Sequence, residues 1–189
     1  MKIVFATNNQ NKIKEVQAQL PKQITLLSLE SIGCFEDIPE TAKTIEGNAL
    51  QKALYVKEKY GFDCFADDTG LEVESLDAAP GVHSARYAGD QRNSEDNIDK
   101  LLVKLINKKN RNAQFKTVIA LVFERKEVLF TGICSGEITT ERKGNNGFGY
   151  DAVFLPKGFS NTFAEMNLEQ KNAIGHRGKA VRKLIEFFQ

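Results

Sequence analysis

Cys64-Phe65-Ala66-Asp67-Asp68-Thr69-Gly70 is the stretch on which the fold turns. An apolar run with the character of a buried strand ends in two adjacent carboxylates. In open α/β sheets, ligands bind at the carboxyl ends of the strands, so this is where a site is expected. Burying two like charges is costly without a partner, and a divalent cation is the usual one. In a straight strand Asp67 and Asp68 would point to opposite faces. The Thr69-Gly70 pair is expected to turn the chain at once and bring both acids to one metal site. Strands are accordingly expected over 63–67 and 71–76. Hard oxygen ligands favour Mg²⁺ or Mn²⁺. As a lone motif, the four residues Asp67 to Gly70 read first as a solvated turn, and the metal site gains only when the other motifs are counted.

Working outward, Ile3 to Ala6 reads as a short buried strand and Thr7-Asn8-Asn9-Gln10-Asn11 as turn chemistry. Ile13, Val16 and Leu20 then share a helical face that Pro21 is expected to end. A second helix is expected over 44–60, capped by Thr44 and stopped by Gly61, with Ala49, Ala53, Val56 and Tyr60 on one face. Ser94 is expected to cap a third, whose stripe is Ile98, Leu101, Leu102, Leu105 and Ile106. Val118 to Phe123 reads as a central strand and Val128 to Ile133 as its hairpin partner. Ala152 to Leu155 reads as a strand stopped by Pro156, and a last helix begins near Gly178. Helices at both ends with hairpins between them argue for an α/β fold, a mixed sheet with helices packed on it.

The chain has 189 residues and a formal net charge of +1. Length fits one domain, and a chain of this size buries roughly 70% of its unfolded surface. The charge balance gives no global case for binding nucleic acid or an anionic membrane. Cys34, Cys64 and Cys134 are odd in number and follow no metal-finger spacing, so reduced, packed thiols in a cytoplasmic protein are expected. The apolar N-terminal stretch ends at Thr7, too early for a signal peptide.

Other residues carry chemistry. Lys12 follows a strand and opens a helix, where backbone N–H groups and a lysine can cradle phosphate, although no Gly-x-x-x-x-Gly-Lys-[Ser/Thr] loop is present. Asn48 and Lys52 share a helix face, and Glu40 precedes that helix as a candidate metal carboxylate. In Gly144-Asn145-Asn146-Gly147-Phe148-Gly149-Tyr150-Asp151 the glycines permit unusual backbone. There Phe148 is a candidate stacking ring and Asp151 a candidate acceptor from a ring N–H. Lys171, His176 and Arg177 form a cationic cluster before the last helix. Each segment alone also fits a structural role: a capping loop, a surface ion, a hairpin turn.

Together these segments resemble the inosine triphosphate pyrophosphatase family. The matching stretches are Ala6 to Lys12, Glu46 to Ala53, Ala66 to Leu71, Pro80 to Tyr87, Gly147 to Asp151 and Thr162 to Arg177. The resemblance implies a single two-lobed domain over 1–189, a long mixed sheet, a nucleotide cleft between the lobes and a homodimer. It implies Mg²⁺-dependent cleavage of noncanonical purine triphosphates (ITP, dITP, XTP) to monophosphate and pyrophosphate, clearing deaminated purines from the nucleotide pool. Thr7, Asn8, Asn9, Gln10, Asn11, Lys12 and Lys52 would hold phosphates, and Thr69 would touch substrate. Glu40 and Asp68 would hold the metal with Asp67 nearby, and Asp68 would be the base that activates water. Phe148, Gly149, Tyr150, Asp151, Lys171, His176 and Arg177 would form the base pocket. Inosine and xanthine carry a 6-oxo acceptor and an N1–H donor, so Arg177 is expected as donor and Asp151 as acceptor. Gly175 departs from a frequent serine of the family. A related pyrophosphatase with another base preference, or a non-catalytic nucleotide-binding module, remains as the alternative.

Overall fold

The computed structural model of the chain describes residues 1–189. The strands are β1 (Lys2–Phe5), β2 (Thr25–Leu27), β3 (Cys64–Val73), β4 (Pro80–Gly81), β5 (Asn112–Phe123), β6 (Lys126–Ile138) and β7 (Phe154–Pro156). The helices are α1 (Gln10–Gln17), α2 (Ile45–Tyr60), α3 (Ser94–Lys104), α4 (Leu168–Ile174) and α5 (His176–Phe187). The strands form one sheet in the order β2-β1-β3-β5-β6-β7, with β4 paired to β3. β1 runs parallel to β2 and β3, whereas β4 and β7 pair antiparallel with β3 and β6. The α/β class and the mixed sheet are therefore as expected. No helix is long and apolar enough to cross a membrane.

The chain forms two compact units. The first comprises Met1–Asp68, Thr117–Gly132 and Arg177–Gln189. Its core joins Ile3 and Phe5 of β1, Phe65 of β3, Ile119 and Leu121 of β5, Val16 of α1, and Ala180, Val181 and Leu184 of α5. Phe5 and Phe65 stack at 4.6 Å across the parallel pair. Cys64 points the other way along β3 and donates to the Ala53 carbonyl of α2 at 2.9 Å. This alternation assigns α1 and α5 to one face of β3 and α2 to the other.

The second unit comprises Thr69–Lys116 and Ile133–His176. Leu71, Val73, Ala113, Phe115, Cys134, Ile138 and Phe154 face Ile98, Leu101 and Leu105 of the α3 segment, together with Phe163 and Met166. The apolar stripe read from sequence is thus buried along most of its length, while Ile106, beyond the end of α3, is 72% exposed.

Local signals acted largely as expected. The Thr44 hydroxyl caps α2 by accepting from Gly47 N, and Gly61 ends it in the left-handed region. Asn93, not Ser94, caps α3, its carboxamide accepting from Glu95 N and Asp96 N. α1 stops at Gln17, short of Pro21. β3 is the larger correction. The two strands expected over 63–67 and 71–76 are one ten-residue strand, and Thr69-Gly70 lies inside it. Sheet pairing at Leu71 and Glu72 with β4 carries the strand past the local turn signal.

Candidate active site

Because β3 does not turn at Thr69, Asp67 and Asp68 diverge to opposite faces. Asp67 follows Phe65 toward α1 and α5 and is fully buried. Lys12 Nζ reaches its Oδ1 at 2.8 Å, and Arg177 Nε reaches its Oδ2 at 2.9 Å. Arg177 Nη1 also donates to Glu15 at 2.5 Å. Burial would raise the Asp67 carboxyl, but Lys12, then Arg177 and Lys52, hold it well below the usual carboxylate range. The Lys12 ammonium is pushed down by burial and by the nearby Lys52 and Arg177 charges, against the pull of Asp67. Lys12 is therefore a crowded, partly desolvated cation, the state in which an added anion gains most.

Asp68 follows Cys64 and Ala66 toward α2. Asn48 Nδ2 donates to its Oδ2 at 3.3 Å. Burial pushes the Asp68 carboxyl above its ordinary value, and the Glu40 and Asp67 charges add to this, while Lys52 and Lys12 oppose it. Lys52 is buried and pairs with Glu40 at 2.5 Å. Asn48 and Lys52 of α2, Asp68 in the middle of β3 and Glu40 from the segment before α2 thus form one acid–base group.

The expected metal set is not gathered as a trio. Nowhere do three or more His, Cys, Asp or Glu side chains come together in a metal-holding group. Asp67 spends both carboxylate oxygens on cations, which removes it from the donor set. Glu40 and Asp68 do fit a hard cation: both offer carboxylate oxygens, and the Glu40 charge raises the cost of charging Asp68. Mg²⁺ commonly takes only one or two protein carboxylates and completes its shell with phosphate and water.

The loop before α1 is exposed at Asn8 to Asn11 and half-buried at Thr7 and Lys12. The Asn9 carboxamide already accepts from Asn11 N and Lys12 N, at 3.0 and 3.2 Å. Asn9 thereby caps α1, so the expected backbone cradle is partly occupied.

In the second unit, Asp151 is the hub of the glycine-rich loop. Its Oδ2 accepts from Phe148 N at 2.8 Å and from Lys171 Nζ at 2.5 Å. Lys171 Nζ also lies 4.8 Å from the centroid of the Phe148 ring and 5.6 Å from that of Phe163. Gly147 takes φ +76°, and a Cβ there would run into the Asp151 carboxylate. His176 is buried and stacks on Phe115 at 4.6 Å. Tyr150 is buried and donates to the Ser84 carbonyl at 2.7 Å. Thr69, half-buried in β3, and Gly149, at φ +61° in the loop, belong to this unit as well.

Arg177 and Asp151 are each 2% exposed and hydrogen-bond inside the protein, Arg177 to Asp67 and Glu15, Asp151 to Phe148 N and Lys171. Gly175 lets α4 end tightly: its N–H donates to the Lys171 carbonyl at 2.7 Å, and a Cβ would sit 2.6 Å from that oxygen. Glu15, Asn48 as a ligand of Asp68, Phe115 and Phe163 were not anticipated as site residues. Asn48 had a signal, its helix face shared with Lys52; Glu15 had none, since Arg177 is 162 residues away.

A carboxylate-and-lysine group in one unit and a cation–aromatic group in the other define an α/β protein equipped for phosphates and for a flat ring. The chain belongs to the Ham1 family, whose model matches residues 3–187. It is 65% identical to the dITP/XTP pyrophosphatase of Flavobacterium johnsoniae, over 98% of this chain and 97% of that protein. It is 63% identical to the enzyme of the same name from Flavobacterium psychrophilum over the whole of both chains. Among solved structures it is similar to the Staphylococcus aureus Ham1 protein, with a TM-score of 0.91 and 39% identity over 100% of this chain and 98% of that one. A HAM1 protein from Coxiella burnetii gives a TM-score of 0.92 and 36% identity, with the same coverage.

Proposed function

We propose that the chain hydrolyses noncanonical purine nucleoside triphosphates, dITP, ITP and XTP, to the monophosphate and pyrophosphate. Family membership and the names of its relatives support the reaction class. The observation that carries the chemistry is Asp68, a half-buried carboxyl that desolvation pushes above its ordinary pKa, held by Asn48 on the face of β3 toward α2 that carries the buried Lys52. Raised basicity suits it to take a proton from an attacking water at neutral pH.

In this reading Lys12 and Lys52 bind the triphosphate and offset its charge as the bond between the α and β phosphates breaks. Lys52 leaves Glu40 for phosphate, and Glu40 and Asp68 would hold Mg²⁺, or Mn²⁺ in its place, which would supply further neutralisation of the phosphate oxygens. Thr7 to Asn11 line the phosphate end, and Thr69 contacts the substrate. Arg177 fixes Asp67, which keeps Lys12 placed.

Phe148 to Tyr150, Lys171 and His176 take the base, with Asp151 holding the loop. Lys171 carries donors and no acceptor. It suits a 6-oxo group and meets only donors on the 6-amino group of adenine, which leaves buried groups unpaired. The two units together are proposed as one catalytic domain, a homodimer working in the cytoplasm to clear deaminated purines.

The test is pyrophosphate release from ITP, XTP, dITP, GTP, ATP and dTTP with and without Mg²⁺, beside Asp68→Asn. Turnover of ITP, XTP and dITP that needs Mg²⁺ and falls at least about a hundredfold in the variant is expected. Turnover confined to another base would keep the chemistry and remove the base-pocket assignment. A folded protein that turns over none of them would leave a nucleotide-binding module.

A further inference from the structure

The segment that carries Glu40 has no regular structure of its own. Residues 34–44 form neither helix nor strand, yet they must set the position of a proposed metal carboxylate. They are fastened to α2 through side chains. Asn48 Oδ1 accepts from Ala42 N at 2.9 Å. Gln51 accepts from Thr41 N and donates to Thr41 Oγ1, both at 2.9 Å. Lys52 holds Glu40. Further along, Glu36 Oε1 accepts from Tyr55 Oη at 2.8 Å, Lys59 Nζ at 2.6 Å and Tyr60 Oη at 2.6 Å.

Asn48, Gln51, Lys52, Tyr55 and Lys59 recur at helical spacing, so they line one face of α2. Strap number falls as helix number rises. The strap therefore runs antiparallel to the helix, each turn of which presents a ligand to it. A helix is stiff over this length, roughly 16 Å from Asn48 to Lys59, and serves as a ruler for the strap.

One bond of this ladder conflicts with the proposed reaction. Lys52 leaves Glu40 when it binds phosphate, whereas Asn48 serves Ala42 through Oδ1 and Asp68 through Nδ2 at once. The Glu40 end of the strap then loses its strongest tie at the moment its carboxylate must stay in place. Glu36 lies outside that group. It gathers three donors on one oxygen, and Lys59, then Tyr60, hold its carboxyl well below the usual range.

We propose that Glu36 is a positioning residue: with Tyr55, Lys59 and Tyr60 it anchors the strap so that Glu40 keeps its place when Lys52 turns to the substrate. This rests on the reading of Glu40 as a metal ligand. Glu36→Ala, the acceptor-retaining Glu36→Gln and wild type would be compared by two measurements. In the absence of nucleotide and metal, hydrogen exchange at the Thr41 and Ala42 amides is expected to quicken at least tenfold in Glu36→Ala. With ITP saturating, its Mg²⁺ requirement is expected to rise about tenfold or more, with the ITP KM at saturating Mg²⁺ changing less. Glu36→Gln is expected to fall between the two.

Unchanged exchange overturns the anchor. Faster exchange with an unchanged Mg²⁺ requirement overturns the link to Glu40. A general folding defect would instead lower the melting temperature and quicken exchange along α2 and β3 alike, which would also overturn it. If wild type turned over no nucleotide, the functional reading would fall. The exchange result would still decide whether Glu36 fixes the strap.

Discussion

At the scale of the residue, β3 divides its side chains between two environments. Phe65 and Asp67 face α1 and α5; Cys64 and Asp68 face α2. The sequence marked both aspartates as chemical, because adjacent acids after an apolar run are costly without a purpose. It did not distinguish them, since their partners are distant in the chain: Arg177 lies 110 residues from Asp67. The same face that raises Asp68 raises Cys64, whose thiol burial pushes up to about 12. An unfolded thiol titrates near about 8.5. A folded pKa above the unfolded value gives stability that is fully present below about pH 8.5 and lost as pH rises toward 12. Cys64→Ala should therefore lose less stability than wild type between pH 8 and pH 10, measured by urea unfolding at each pH, about 8 and 10 being chosen to bracket the unfolded thiol. In native protein, Cys64 should resist iodoacetamide over the same range. Rapid labelling at about pH 8 would refute the shielding that sets this pKa.

At the scale of the element, caps and periodicity were legible and strand continuity was not. Thr44 and Gly61 bound α2 because both act within one turn of chain. The Thr69-Gly70 signal failed because pairing with a neighbouring strand outweighs a local preference. α4 was missed although Asn167 and Gln170 form a reciprocal capping box, a pattern visible in sequence. The glycine-rich loop was read as permissive backbone, and its cause proves specific: Gly147 makes room for the Asp151 carboxylate. Gly147→Ala must take a left-handed φ and displace Asp151. It should cost about 1–2 kcal/mol of stability from the backbone alone. It should also raise the ITP KM several-fold while leaving the Mg²⁺ requirement unchanged, because the loop belongs to the second unit. Steady-state kinetics at varied ITP and Mg²⁺ separate these effects. A variant with wild-type KM would detach Asp151 and Phe148 from base binding.

At the scale of the whole molecule, each unit owns a hydrophobic core and one of the two polar groups. Neither is a continuous piece of chain. The first is assembled from three segments and the second from two, and the chain passes between them four times, within β3, β5 and β6 and at the start of α5. Three of the four crossings, after residues 68, 116 and 132, lie inside strands and so have no linker to mark them, although the first coincides with the Asp67-to-Gly70 turn signal; the fourth follows Gly175-His176 at the entry to α5. A unit whose strands continue into the other cannot shed its backbone hydrogen bonds independently, so the two cores should unfold together. Leu184→Ala removes a fully packed side chain from the first core, and Leu101→Ala does so in the second. Each should cost about 2–5 kcal/mol. Both should shift one shared transition, with far-UV circular dichroism and tyrosine fluorescence coincident and the urea slope unchanged. If Leu101→Ala instead split the melt into two steps, with only one of them moving, the units would be separate folding domains. Binding of a base by the second unit would then leave the stability of the phosphate group in the first unaltered.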